Sequence, residues 1–230
     1  VRAAAGADLI VAPEMALRGY AFTSLAAVEA VAEPADGPTL AALGPLAREV
    51  GAWLVVGFPE RDGDALHNSA LIVAPDGQLA HVYRKSLLFE ADLPWATAGR
   101  HDYPLVDTGR GVFTVGICMD LNDDRFLAWC AARRPDVIAF PTNWIQEDGS
   151  LQAYWQTRLA TGWSEDWAHL PEVVPGRAPV DAVIVGANSY GREGAWDLRG
   201  QSSIVSRRRV YGVADRTGDS VLIADLGASG

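Results

Sequence analysis

The sequence is poor in cysteine: Cys118 and Cys130 are the only two in 230 residues. Two thiols, one on either side of a predicted helix start, make no disulfide framework, and a reduced, cytoplasmic setting is the expectation. No apolar run approaches the roughly 20 residues that a bilayer-spanning helix needs, which argues against an integral membrane protein. Positive charge is scarce as well. Nineteen Lys and Arg against 29 Asp and Glu leave a formal net charge of -10, so no basic face for nucleic acid or anionic lipid is expected. Repeats, low-complexity tracts and long linkers are missing too, and a single domain over 1–230 is expected. There is no initiator methionine. The opening Val1-Arg-Ala-Ala-Ala reads as the tail of a helix, so the sequence is expected to begin inside its domain, with no secretory leader visible.

What remains is an alternation of short apolar runs with helical stretches, the pattern of an α/β fold whose hairpins make the sheets mixed. Strands are expected at 7–13, 53–58, 68–74, 81–85, 113–117, 136–141, 182–187, 202–205 and 220–224, and helices over 24–33, 39–50 and much of 150–168. Pro75-Asp-Gly77 predicts an antiparallel pair that ends at Lys85. Residues 86–111 and the proline-rich 170–180 read as loops, and Arg207-Arg-Arg209 as a solvated strand face or an interface contact.

The organising stretch is Phe113-Thr-Val-Gly-Ile-Cys-Met-Asp-Leu-Asn122. A buried strand delivers Cys118 to a turn rich in Asp120, Asn122, Asp123 and Asp124, after which Phe126-Leu-Ala-Trp-Cys-Ala-Ala has helical composition. Backbone N–H groups at a helix start can lower a thiol pKa and can hold a developing oxyanion. Two further reactive residues also stand directly after β patterns, Glu14 and Lys85, where α/β folds place their sites. A carboxylate beside a thiol can take its proton, and a lysine beside both can hold negative charge as it develops. Those are the three jobs that amide or nitrile hydrolysis through cysteine requires. Histidine is not needed: His67, His81, His101 and His169 lie in contexts that suggest turns or surface.

At these residues the sequence resembles the nitrilase, or carbon–nitrogen hydrolase, superfamily. The resemblance is carried by Ala-Pro13-Glu14 with Gly19-Tyr20, by Tyr83-Arg-Lys85, and by Gly116-Ile-Cys118-Met-Asp120. Pro141-Thr-Asn-Trp144, Ala187-Asn-Ser-Tyr-Gly191 and Gly200-Gln-Ser202 follow in the family's order. The resemblance implies a four-layer α-β-β-α sandwich, usually assembled as homo-oligomers, with the family's first strand missing ahead of Val1. It also implies roles: Glu14 as general base, Lys85 stabilising the tetrahedral intermediate, Cys118 as nucleophile, and the Met119 N–H completing the oxyanion site. A thioester would form with release of ammonia, with no metal or organic cofactor needed. The segments around Arg84–Trp95 and Gly116–Asn122 look like those of the protein N-terminal amidases, which deamidate N-terminal Asn or Gln.

One departure matters. Where many members carry a second glutamate, about eight positions after the lysine, this sequence has Leu93, with Glu90 and Asp92 nearby. Asp92 is the candidate substitute. Asn143 and Trp144 are candidate pocket residues, and Tyr20 is expected to pack near Glu14 in a structural role. The expected substrate is a peptide N-terminus or a small amide. A small-molecule aliphatic amidase or an N-carbamoyl amide hydrolase is the alternative of the same chemistry. A catalytically silent binding or assembly subunit is the alternative of another class.

Overall fold

The computed structural model describes residues 1–145, 149–162 and 177–227. After a short 3-10 turn at Arg2–Ala4, the first half of the chain forms β1 (Leu9–Val11), α1 (Leu25–Glu29), α2 (Pro38–Val50), β2 (Trp53–Asp62), β3 (Ala65–Val73) and β4 (Leu79–Arg84). The second half forms β5 (Val106–Asp107), β6 (Val112–Val115), a 3-10 turn at Cys118–Asn122, α3 (Asp124–Arg133), β7 (Val137–Thr142) and α4 (Leu151–Thr161). It continues through β8 (Val183–Asn188), β9 (Tyr190–Glu193), β10 (Trp196–Arg199), β11 (Ser203–Ser206) and β12 (Val210–Val213).

One sheet has the order β1-β2-β3-β4, with β1 parallel to β2 and the others antiparallel; the second has the order β12-β11-β8-β7-β6-β5. Strands β6, β7 and β8 run parallel at the centre of the second sheet. Period-two alternation explains the stacking. Leu54, Val56, Phe58, Leu71 and Val73 pack with Leu43 and Ala47 of α2. Their neighbours Val55, Ala70 and Ile72 share a core with Phe113, Val115, Ile138 and Phe140, and with Phe126 and Trp155 of α3 and α4. This packing is consistent with the four-layer order expected, α2, first sheet, second sheet, then α3 and α4. Helix ends follow local chemistry: α2 opens on Pro38 and closes on left-handed Gly51, and the Asp123 carboxylate caps α3 through the Arg125 N–H.

Several expectations need correction. Ser220–Ala224 is not a strand: the segment joins neither sheet, and Val221 and Ile223 stay exposed while Leu222 lies over Gly212. Apolar alternation cannot distinguish a ladder strand from an extended chain lying on a sheet. Strand β12 and the separate β9–β10 hairpin were not expected, because Tyr190-Gly-Arg-Glu193 carries no apolar period. Helix α1 is shorter than 24–33, and α4 ends at Thr161 on left-handed Gly162, with 163–168 of that expected helix outside the described residues. Arg207–Arg209 forms the turn between β11 and β12, not a strand face, and Arg207 pairs with Asp181. Among the described residues no helix is long and apolar enough to cross a membrane.

Close packing leaves no room at Gly186, where an added Cβ would lie 2.2 Å from the Trp155 ring. Gly186→Ala should cost about 1–3 kcal/mol by overpacking and lower the melting temperature by about 2–4 °C for each kcal/mol. Thermal unfolding followed by circular dichroism checks this, and an unchanged melting temperature would contradict it.

Candidate active site

Three strand ends converge. Strand β6 ends in a turn for which Gly116 is required, since a Cβ there would meet the Phe126 ring at 2.7 Å. Cys118 then adopts φ 45°, the left-handed region that costs a non-glycine residue energy and is held only where surroundings enforce it. Here the Asp120 N–H donates to the Ile117 carbonyl (2.9 Å) and its carboxylate accepts the Ile117 N–H (2.8 Å). Cys118 thus opens a 3-10 turn, while α3 begins only at Asp124. Among the described residues no acceptor takes the Met119 N–H, so it can serve an oxyanion.

Glu14 reaches the same place from β1. The chain crosses β2 at Gly57, where a Cβ would stand 2.6 Å from the Glu14 Cα, so only glycine permits the crossing. Lys85 follows β4 directly, its N–H bonded to the Asn68 carbonyl (2.9 Å) and its carbonyl to the Gly99 N–H (2.8 Å). The side chain is fully buried, and Lys85 is the only lysine in the sequence. Its Nζ donates to Glu14 Oε1 (2.8 Å) and to Asp92 Oδ2 (2.7 Å).

A second ring of hydrogen bonds holds these carboxylates. Asn68 Nδ2 donates to Glu14 Oε1 (2.6 Å) and Asp92 Oδ1 (3.0 Å). The Tyr20 hydroxyl donates to Asp92 Oδ1 (2.9 Å), and the Phe89 N–H to Asp92 Oδ2 (3.0 Å). Asn143 donates twice to Glu14, from its backbone N–H to Oε2 and from Nδ2 to the carbonyl, each at 3.0 Å. Asp92 therefore occupies the position facing the lysine, whereas Leu93 points to solvent with 67% of its surface exposed. Tyr20 is more than a packing residue, since it bonds Asp92. Trp144 is buried, packs on Tyr154 and gives its N–H to Asn188 Oδ1 (2.7 Å). Asn68 was missed because it reads as one more residue of a buried strand.

The charges set the proton positions. Burial alone would strip Lys85 of its proton, but Asp92 and Glu14 outweigh it and hold the ammonium well above the usual lysine range. Burial raises the Glu14 carboxyl, opposed by Lys85 and aided by Asp92. The Cys118 thiol is pushed up to about 12, by burial first and then by Glu14, against Lys85, the Thr142 hydroxyl and the Asn143 backbone. Dehydration outweighs any lowering by backbone N–H groups, and the resting sulfur is a neutral thiol next to the Glu14 carboxyl. Cys130 is a core residue of α3. Of the histidines, His67 is not on the surface but buried in β3, its Nδ1 2.7 Å from the Thr97 carbonyl, while His169 lies outside the described residues. Among the described residues no cluster of His, Cys, Asp and Glu is arranged to hold a metal ion.

A carboxylate, an ammonium and a thiol gathered on strand ends have the composition needed to cleave a carbon–nitrogen bond, and a carbon–nitrogen hydrolase family model matches residues 1–229. The chain belongs to the carbon–nitrogen hydrolase family. A nitrilase of Pyrococcus abyssi is 30% identical over 224 residues, covering 96% of this chain and 77% of its own. A protein N-terminal amidase of Schizosaccharomyces pombe is 24% identical, covering 95% of this chain and 86% of its own. Among solved structures, an N-terminal amidase with an Asn-Glu peptide superposes with a TM-score of 0.73 at 16% identity, covering 91% of this chain and 86% of that one. The fold of this hydrolase is therefore that of its family.

A neutral resting thiol has a kinetic signature. Alkylation of Cys118 by iodoacetamide, read from its peptide by mass spectrometry, should climb about tenfold per pH unit through pH 10, because only the thiolate reacts. A plateau near the ordinary cysteine pKa of about 8.5 would contradict the burial argument.

Proposed function

We propose that this hydrolase cleaves a linear amide through a thioester on Cys118. The observation that carries the reading is the buried Lys85–Glu14 pair, held beside a free thiol on a strained turn. Glu14 takes the thiol proton as sulfur attacks the amide carbon. The oxyanion is held between the Met119 N–H and the Lys85 ammonium. As the C–N bond breaks, Glu14 returns the proton to the leaving nitrogen, and ammonia departs. Glu14 then takes a proton from water, hydroxide character attacks the thioester, the acid leaves, and the thiol regains its proton. Asp92 holds the ammonium from the far side, so Lys85 keeps its charge throughout. None of these steps calls for a metal or an organic cofactor.

The preferred substrate is a peptide bearing N-terminal Asn or Gln, with homo-oligomeric assembly in the cytoplasm. Support comes from the Arg84–Trp95 and Gly116–Asn122 segments and from the N-terminal amidase relatives. An omega-amidase relative, 30% identical over 166 residues, favours a second reading, a small-molecule amide. The silent-subunit alternative rested on Leu93, and it loses that motive because Asp92 meets Lys85.

Cys118→Ala should abolish ammonia release while circular dichroism stays native, since only one small side chain is shortened; retained turnover would end the mechanism. Lys85→Ala should cost about 3 kcal/mol of transition-state stabilisation, the worth of one oxyanion donor. An ammonia-release screen separates the substrates. Turnover of short peptides with N-terminal Asn or Gln, and little of free amides or carbamoyl amino acids, is the expected result; the reverse ranking selects the second reading.

A further inference from the structure

Asp120 has no part in the steps above, yet it is fully buried and takes four hydrogen bonds. Oδ1 accepts the N–H groups of Ser86 (3.0 Å) and Leu87 (2.9 Å). Oδ2 accepts the Tyr83 hydroxyl (2.8 Å) and the Ile117 N–H (2.8 Å). The donors form two groups with different parents. Tyr83, Ser86 and Leu87 bracket Lys85 and belong to the first sheet and the loop leaving it. Ile117 immediately precedes Cys118 and continues β6 of the second sheet. One carboxylate thus ties the two sheets together at the point where lysine and cysteine meet.

We infer that Asp120 is a positioning residue that fixes the Lys85 ammonium relative to the Cys118 thiol. The inference rests on the roles proposed for those two side chains. Apolar packing between the sheets is non-directional and leaves their relative placement loosely specified. Hydrogen bonds to one shared anion supply the missing direction. Burial pushes the Asp120 carboxyl up to about 6, against the pull of its donors, so it is ionised at neutral pH. An ionised carboxylate offers acceptors only, about four lone-pair sites for four donors. The amide of Asp120→Asn cannot match that set. Turned one way it keeps Ser86 and Leu87 but sets its own N–H groups against the Ile117 N–H, and only the Tyr83 hydroxyl can turn to accept one; turned the other way it keeps Tyr83 and Ile117 but sets its N–H groups against those of Ser86 and Leu87. Either orientation leaves at least one buried backbone N–H facing another donor, so the placement that the carboxylate sets is loosened.

Cys118 alkylation and steady-state turnover, measured on wild type, Asp120→Asn, Lys85→Ala and the double variant, test this. Lys85 favours the thiolate, so Lys85→Ala should slow alkylation. Asp120→Asn should slow alkylation and lower kcat by about 10- to 100-fold with KM nearly unchanged, as expected for a misplacement of about 1 Å. In the Lys85→Ala background, Asp120→Asn should slow alkylation no further, because it acts through the lysine. Multiplying effects, or a folded Asp120→Asn protein with native rates, would overturn the inference. If Asp120→Asn does not fold, Tyr83→Phe decides: it removes one of the four donors without burying a new polar group. A folded Tyr83→Phe enzyme should show a smaller loss of the same kind, and full activity would overturn the tie. Alkylation needs no turnover. A wild type that cleaves no amide would therefore refute the hydrolase mechanism while the alkylation cycle still decides the role of Asp120.

Discussion

The site depends on a single buried cation. Taking the Lys85 ammonium out of water is tolerable only because Glu14 and Asp92 both hydrogen-bond it, and the carboxylates in turn depend on Asn68, Tyr20 and Asn143 for their remaining lone pairs. Such a cluster contributes little net stability, because desolvation offsets most of the attraction. What it contributes is geometry. Each carboxylate is held by several donors at once, so the cluster is rigid before any substrate arrives, which is the condition for electrostatic catalysis.

The same dryness decides the state of the thiol. A cysteine beside a lysine in water would ionise early, but burial and the nearby Glu14 carboxylate keep Cys118 protonated. In the proposed mechanism the Glu14 carboxylate and the Cys118 thiol must therefore act together, and their alignment becomes the critical quantity. That explains why so much backbone restraint is spent here. Gly57 opens the path of Glu14, Gly116 that of Cys118, and Asp120 joins the two sheets.

Glu14, Lys85 and Cys118, which the structure gathers, were legible in the sequence because each follows a strand and lies in an ordered local motif. The layering was expected from the family resemblance alone; its physical basis is the alternation along β2 and β3, which gives one face to a helix and the other to the second sheet. Asp92 was legible as a carboxylate within reach of a departure at Leu93. Asn68 was not, since a polar residue within an apolar strand carries no sign of its partner. Asp120 read as turn chemistry, which it is, but its longer-range bonds to Ser86 and Leu87 come from the tertiary fold. The 220–224 segment shows the opposite failure, in which local alternation promised a ladder that the fold does not supply. One legible signal went unused: with 18 arginines and a single lysine, the chain keeps lysine only at position 85.

That singularity also provides the most direct test. Protein grown with lysine labelled at the ε carbon should give one NMR resonance, from Lys85, whose chemical shift reports its charge. The cluster predicts a shift that stays at the ammonium value from neutral pH through the range in which ordinary lysines titrate. A titration midpoint near the ordinary lysine pKa of about 10.4, or below it, would show that the two carboxylates do not hold this cation.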